Sequence, residues 1–121
     1  MQVYRFFNAS ESDPTPIQLE KLFDCLLGLS RAEISVLMRI LAHPGNCCQE
    51  LARAERKDRS VVQKVVKKLF DRGLIRREEL ERGKLTYMPL PPDEMRDLLL
   101  RRIDETRLRM IDVVYRAFGR A

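Results

Sequence analysis

The sequence contains no tryptophan, and its 121 residues include one histidine, three cysteines and five glycines. A single histidine and the absence of a glycine-rich phosphate loop leave no recognisable catalytic arrangement, so we expect no enzyme and no cofactor or metal site. The cysteines are odd in number, and Cys47 and Cys48 are adjacent. This pattern differs from the disulfide framework of a small secreted domain and is typical of free thiols in a reducing compartment.

Long apolar runs are also missing. No stretch approaches the roughly 18–20 apolar residues that cross a membrane, and the N-terminus lacks the apolar core of a signal peptide. Hydrophobic residues make up 45% of the chain and charged residues 34%. This composition is typical of a globular domain. We expect a cytoplasmic protein without a membrane partner.

Positive charge is concentrated in one quarter of the chain. The formal net charge is +5, and residues 53–84 hold 12 lysines and arginines against 6 acidic residues. The rest of the sequence is close to neutral. Such a local excess is typical of a surface that contacts phosphate groups.

Two helices are predicted ahead of this basic segment. The first begins at Pro14 and Pro16, carries an apolar stripe from Ile17 to Leu27, and ends at a glycine. Ser30 opens the second, with Glu33 completing a capping box, and a Pro-Gly pair ends it. Residues 1–13 form an N-terminal arm in which a short strand over 3–7 is an option.

A short helix from residue 46 or 47 to about 53 is expected next, followed by a basic helix that Asp58 caps and that runs to Asp71. Glycine follows this helix at position 73. Its inward residues, spaced at one helical face, are Val62, Val65 or Val66, and Leu69. Two strands over 74–80 and 84–88 then flank the turn at 81–83, where Gly83 is expected to need a positive φ.

This order of elements predicts a mainly α fold with a small β-hairpin wing, a winged helix-turn-helix domain over residues 14–90. The basic helix has the width that fits the DNA major groove. Arginine pairs with guanine and glutamine with adenine, so Arg59 and Gln63 are candidates for base contacts. The full candidate DNA-binding set is Lys57, Arg59, Ser60, Gln63, Lys64, Lys67, Arg82 and Lys84. The alternative is a winged-helix module that binds protein rather than DNA.

Several short segments resemble the TrmB-like group of archaeal and bacterial regulators and, more weakly, the related MarR group. They are Leu27–Ser30, Glu50–Ala52, Arg59–Val62, Lys68-Leu69, Gly73–Ile75 and Tyr87–Pro92. The resemblance covers roughly residues 17–95 and implies that the basic helix lies in the major groove with the hairpin as wing. TrmB proteins add a C-terminal sugar-binding domain, whereas one helix follows here, so a sugar effector is not implied.

Residues 91–121 are predicted to form a long dimerisation helix. Its apolar residues stay near one face and exceed what a three-helix domain needs to cover, which favours a homodimer. The candidate dimerisation residues are Met95, Leu99, Ile103, Met110 and Val114. The alternative is that the helix folds back on its own domain in a monomer.

Cys47 and Cys48 raise the hypothesis of a redox switch, because a thiol at a helix N-terminus can have a lowered pKa. The alternative is that they are small apolar core residues.

Overall fold

The structure, a computed structural model, describes residues 15–120; the predicted N-terminal arm lies outside this range. The chain forms five helices and three short strands in this part. In chain order they are α1 (Pro16–Leu27), α2 (Arg31–Ala42), β1 (Asn46–Cys47), α3 (Cys48–Glu55), α4 (Arg59–Asp71), β2 (Ile75–Glu79), β3 (Leu85–Pro89) and α5 (Pro92–Phe118). The predicted winged helix-turn-helix is confirmed: α3 and α4 are its two central helices, and β2 and β3 form the wing.

Local signals in the sequence set where the first helices begin and end. Ser30 Oγ accepts a hydrogen bond from the Glu33 backbone N–H at 3.2 Å, and the Glu33 carboxylate accepts one from the Ser30 N–H at 2.7 Å. This is the capping box predicted for α2. Thr15 and Gln18 form a second one at the start of α1. Gly28 ends α1 in the left-handed conformation, with φ of 63°.

The sheet contains one strand more than the sequence predicted. Its order is β1-β3-β2, all antiparallel, and Tyr87 of β3 lies between Asn46 of β1 and Arg77 of β2. The two-residue strand β1 pairs with residues about forty positions away, so no local pattern indicates it. The wing strands begin one residue later than predicted, and each ends within one residue of its predicted end.

The core lies where α1 to α4 meet the sheet. Its fully buried side chains include Phe23, Leu37, Ile40, Leu41, Leu51, Leu69 and Leu74. The expected stripe of α1 is wrong at its start, because Ile17 is 64% exposed. No helix within residues 15–120 is long and apolar enough to cross a membrane.

Helix α5 packs on its own domain only at its beginning. Met95 is buried in the core, and Leu98 and Leu99 lie half-buried against it. One turn later, Arg102 Nε donates a hydrogen bond to the Leu26 carbonyl at 3.3 Å, which ties α5 to the end of α1. Met95 therefore belongs to the core of its own chain, which corrects its assignment to the dimerisation surface.

The remainder of α5 extends away from this domain. At a rise of 1.5 Å per residue, its 27 residues span about 40 Å. Large apolar side chains are exposed along it, among them Ile103, Leu108, Met110, Val113, Val114 and Phe118. Ile103, Met110 and Val114 recur at the spacing of one helical face, and exposed apolar side chains on one face are typical of an interaction surface.

Candidate nucleic-acid interface

Helix α4 has two distinct faces. Val62, Val66 and Leu69 are fully buried, which identifies Val66 rather than Val65 as the central inward residue of this helix. The opposite face is exposed along its whole length. The apolar spacing therefore fixes which side chains of α4 point outwards.

Polar contacts from two other helices fix the C-terminal half of α4. Lys68 Nζ lies 3.1 Å from Glu33 Oε2, and the Glu33 side chain is only 8% exposed. The hydrogen bond from the Ser30 N–H, together with Lys68, holds the pKa of Glu33 below its usual value despite its burial. At the end of the helix, Arg72 Nη2 donates to the Leu27 carbonyl at 2.7 Å. That carbonyl lies in the last turn of α1, where backbone acceptors lack helical partners.

The N-terminal end of α4 rests on α3. The Cys48 thiol donates to the Arg59 carbonyl at 3.7 Å. Asp58 is the N-cap residue as predicted, although its side chain makes no capping hydrogen bond. Arg59 and Ser60, the exposed residues of the first turn, thus lie at a helix end that contacts with α3 fix in position.

All eight predicted DNA-binding residues lie on the surface. Lys57 precedes α4, and the exposed face of the helix carries five of the others: Arg59, Ser60, Gln63, Lys64 and Lys67. Within residues 15–120, only Lys67 of these five has an ion-pair partner, Asp71 at 2.8 Å. The structure therefore brings these five side chains together on one face, with Lys67 partly neutralised.

The wing carries the two remaining candidates. Arg82 lies in a 3₁₀ turn at Glu81–Gly83 and adopts a left-handed conformation with φ of 65°, as does Gly83 at 73°. The positive φ of Gly83 was predicted, and that of Arg82 was not. Lys84 directly follows this turn. The pKa of Glu50 at the start of α3 is lowered mainly by hydrogen bonding with Cys47, and the charge of Lys84 adds to this effect. The positive charge beside the wing turn thus acts on the start of α3.

Some basic residues between positions 53 and 84 form contacts within the chain and are therefore not available as free donors. Arg77 stacks on the Phe70 ring, 4.1 Å from its centroid, and Arg76 pairs with Glu94 at 2.6 Å. Lys68 and Arg72 are also committed to internal contacts. Four of the twelve basic residues between positions 53 and 84 therefore stabilise the fold through ion pairs, a hydrogen bond or a ring contact.

Sequence reasoning missed two exposed cations at the turn between α3 and α4. Arg53 lies in the last turn of α3, and Arg56 ends that helix in a left-handed conformation with φ of 54°. Both precede Lys57, which was among the predicted residues. The turn that brings the three cations close together was not predicted from the sequence.

Cys48 does not lie in the environment that the hypothesised redox switch requires. Cys48 is buried, and burial raises the pKa of its thiol, which is the opposite of the lowering that a reactive thiolate requires. Cys47 is half-buried at the N-cap of α3, where its backbone N–H donates to the Glu50 carboxylate at 3.0 Å. Cys48 behaves as a small core residue.

Comparison with known proteins points to one class. The family model described as sugar-specific transcriptional regulator TrmB matches residues 25–93, from the end of α1 to the start of α5. An uncharacterized protein of Methanocaldococcus jannaschii is 29% identical over 90 residues, which cover 72% of this chain and 75% of that protein.

Solved structures share the fold. A possible transcriptional regulator from Methanosarcina mazei aligns with a TM-score of 0.67 at 22% identity, covering 81% of this chain and 87% of that one. The ST1889 protein of Sulfolobus tokodaii gives 0.67 at 19% identity, covering 78% and 97%. A MarR protein from Peptoclostridium difficile gives 0.54 at 20%, covering 85% and 66%. The matched family is thus one of transcriptional regulators, and the solved structures share the fold of this chain.

Proposed function

Since the chain belongs to the TrmB family of transcriptional regulators, we propose that it binds double-stranded DNA sequence-specifically as a homodimer. In this proposal α4 enters the major groove and the wing contacts the flanking backbone or minor groove. The observation that carries it is the outward face of α4, which bears several donors and no acidic residue before Asp71. Base edges and phosphates both accept hydrogen bonds from such a face.

The side chains on this face divide by chemistry. Arg59 and Gln63 have the bidentate groups that distinguish guanine and adenine, and Ser60 donates to a base or a phosphate. Lysine is a flexible point charge, so Lys57 and Lys64 are assigned to phosphates. Lys67 is also assigned to a phosphate, but its contribution to binding is smaller because it already pairs with Asp71.

The exposed part of α5 supplies the dimer contact. Ile103, Met110 and Val114 are 41%, 58% and 53% exposed, and Leu99 continues their face towards the domain. A second copy of the helix would remove this surface from water. A symmetric dimer places two recognition helices about one DNA turn, roughly 34 Å, apart.

A protein-interaction module is the competing function. Such a surface is expected to expose apolar anchors where α4 exposes donors. Val61 is the one large apolar side chain strongly exposed on α4, at 44%, and it lies towards α3 beside Ala52. The distribution of side chains on α4 therefore favours DNA.

Selection of bound sequences from a random duplex library tests this function. We expect an enriched motif with two related half-sites. The Gln63→Ala variant should lose preference at one position in each half-site, while Lys67→Ala should weaken binding to all sequences alike. No enrichment with the folded wild-type protein, or identical motifs for both variants and wild type, would contradict the proposed readout.

A further inference from the structure

The turn between α3 and α4 contains an arginine in an unfavourable backbone conformation. Arg56 has φ of 54°, a left-handed conformation in which the Cβ atom approaches the backbone and which glycine adopts freely. The turn is closed by hydrogen bonds from the Arg56 N–H to the Arg53 carbonyl at 3.2 Å and from the Lys57 N–H to the Ala52 carbonyl at 3.0 Å. The fold therefore needs this conformation but not this side chain.

The charge of Arg56 is not neutralised within the described residues. Its acidic neighbour Glu55 points elsewhere, accepting hydrogen bonds from Ser35 and from Arg39 at 3.3 Å, with a side chain only 6% exposed. Arg53 and Lys57 likewise have no ion pair in residues 15–120. Three cations without an ion pair in residues 15–120 thus lie close together at this turn, and the charge of Arg53 also helps the hydrogen bonds from Cys47 to lower the pKa of Glu50.

These cations line a shallow surface depression. Its other lining residues are the apolar Ala52 and Val61, the neutral Gln49 and a single acid, Asp58. The depression adjoins the first turn of α4, where Arg59 and Ser60 begin the proposed readout face. Its chemistry suits an anion with several acceptor oxygens.

The wing shows the same unusual feature. Among residues 15–120, the two non-glycine residues with positive φ are both arginines, Arg56 before α4 and Arg82 at the wing tip. Glycine would remove the steric cost at either position. Arginine nevertheless occupies both positions, one in the turn before α4 and one at the tip of the wing that follows it. An arginine where glycine would relieve the backbone strain indicates a role for its side chain.

We propose that Arg53, Arg56 and Lys57 form a binding site for a backbone phosphate of DNA, with Arg56 as its central residue. This site rests on the proposed function and adds a phosphate contact at the turn before α4 to the contact proposed for the wing. It binds the phosphodiester by charge, so it contributes affinity and orientation but no base preference.

The decisive variant is Arg56→Gly, since stability and binding should respond in opposite directions. Glycine relieves the left-handed strain, so the melting temperature should equal or exceed that of the wild type. Affinity for random duplex should fall roughly 5–10-fold at 0.1 M salt, and the slope of log K against log salt should shrink by about one per protomer. Arg56→Lys should restore the slope because it keeps the charge.

Arg96→Gln is the matched control, because Arg96 is an exposed arginine on α5 that pairs with Asp97. It removes the same charge and should leave the salt slope unchanged. If Arg56→Gly keeps the wild-type slope and affinity, or melts several degrees lower than wild type, the phosphate site is refuted. If the wild type itself shows no salt-dependent binding, the proposed function fails as well, and the two failures are thereby distinguished.

Discussion

The ion pair between Glu33 and Lys68 joins the start of α2 to the proposed recognition helix, and Glu33→Gln tests its contribution. Glutamine keeps the acceptor for the Ser30 N–H but loses the charge that faces Lys68. Glu33 is nearly buried while Lys68 is 64% exposed, so the pair lies between the buried and surface limits. The Glu33 carboxylate also lies in the first turn of α2, where the helix dipole favours a negative charge. We therefore expect Glu33→Gln to lower the free energy of unfolding by about 1–2 kcal/mol.

Thermal unfolding followed by circular dichroism measures this loss, which corresponds to a fall in melting temperature of about 5 °C at pH 7. The pKa of Glu33 is lowered in the folded state, so its contribution is complete above the unfolded-state pKa of about 4.3 and disappears as pH falls through the folded value. Wild type and variant should therefore converge in stability as the pH falls below the folded-state pKa of Glu33. The exposed Glu20→Gln change should cost less than about 0.5 kcal/mol. The ion pair is not stabilising if the Glu33→Gln variant is as stable as wild type at pH 7, or if its deficit does not shrink as the pH is lowered.

Three further outcomes follow from burial and exposure. Leu69 is fully buried, so Leu69→Ala should lower the free energy of unfolding in urea by about 2–5 kcal/mol, and a loss below 1 kcal/mol would contradict its place in the core. Replacing Met110 and Val114 together by lysine should convert a dimer to a folded monomer in sedimentation velocity, whereas an unchanged mass would place the interface elsewhere. The Cys48 thiol should react with iodoacetamide far more slowly than the exposed Cys25 until the protein is denatured, and equal native rates would contradict its burial and raised pKa.

Local sequence signals predicted the helices and the wing well. The capping box of Ser30 and Glu33, the glycine at position 28 and the inward spacing of Val62 and Leu69 each depend on neighbours within one or two helical turns. Interactions over such short distances can be read from residue type and spacing alone.

What the sequence did not indicate depends on contacts between distant segments. Strand β1 exists because Asn46 pairs with Tyr87, and Met95 is buried because the first turns of α5 pack against the core. The left-handed conformation of Arg56 runs against its residue preference and is imposed by the turn. The exposed cations Arg53 and Arg56 at the turn therefore emerged only from the structure. The pairing of Lys67 with Asp71 was also missed, although its spacing of four residues along one helix could have indicated it.

Binding of the wild-type protein to random duplex DNA between 50 and 200 mM salt tests the central claim most directly. Lys57, Lys64 and Lys67 from two chains give about six phosphate contacts, and Arg56 at the proposed phosphate site adds about two more. The logarithm of K should therefore fall linearly with log salt, with a slope of about −5 without the Arg56 contacts and about −7 with them. Affinity should then drop roughly 10³- to 10⁴-fold over this range. Binding that is undetectable at low salt, or that does not change with salt, would contradict a DNA-binding function for this chain.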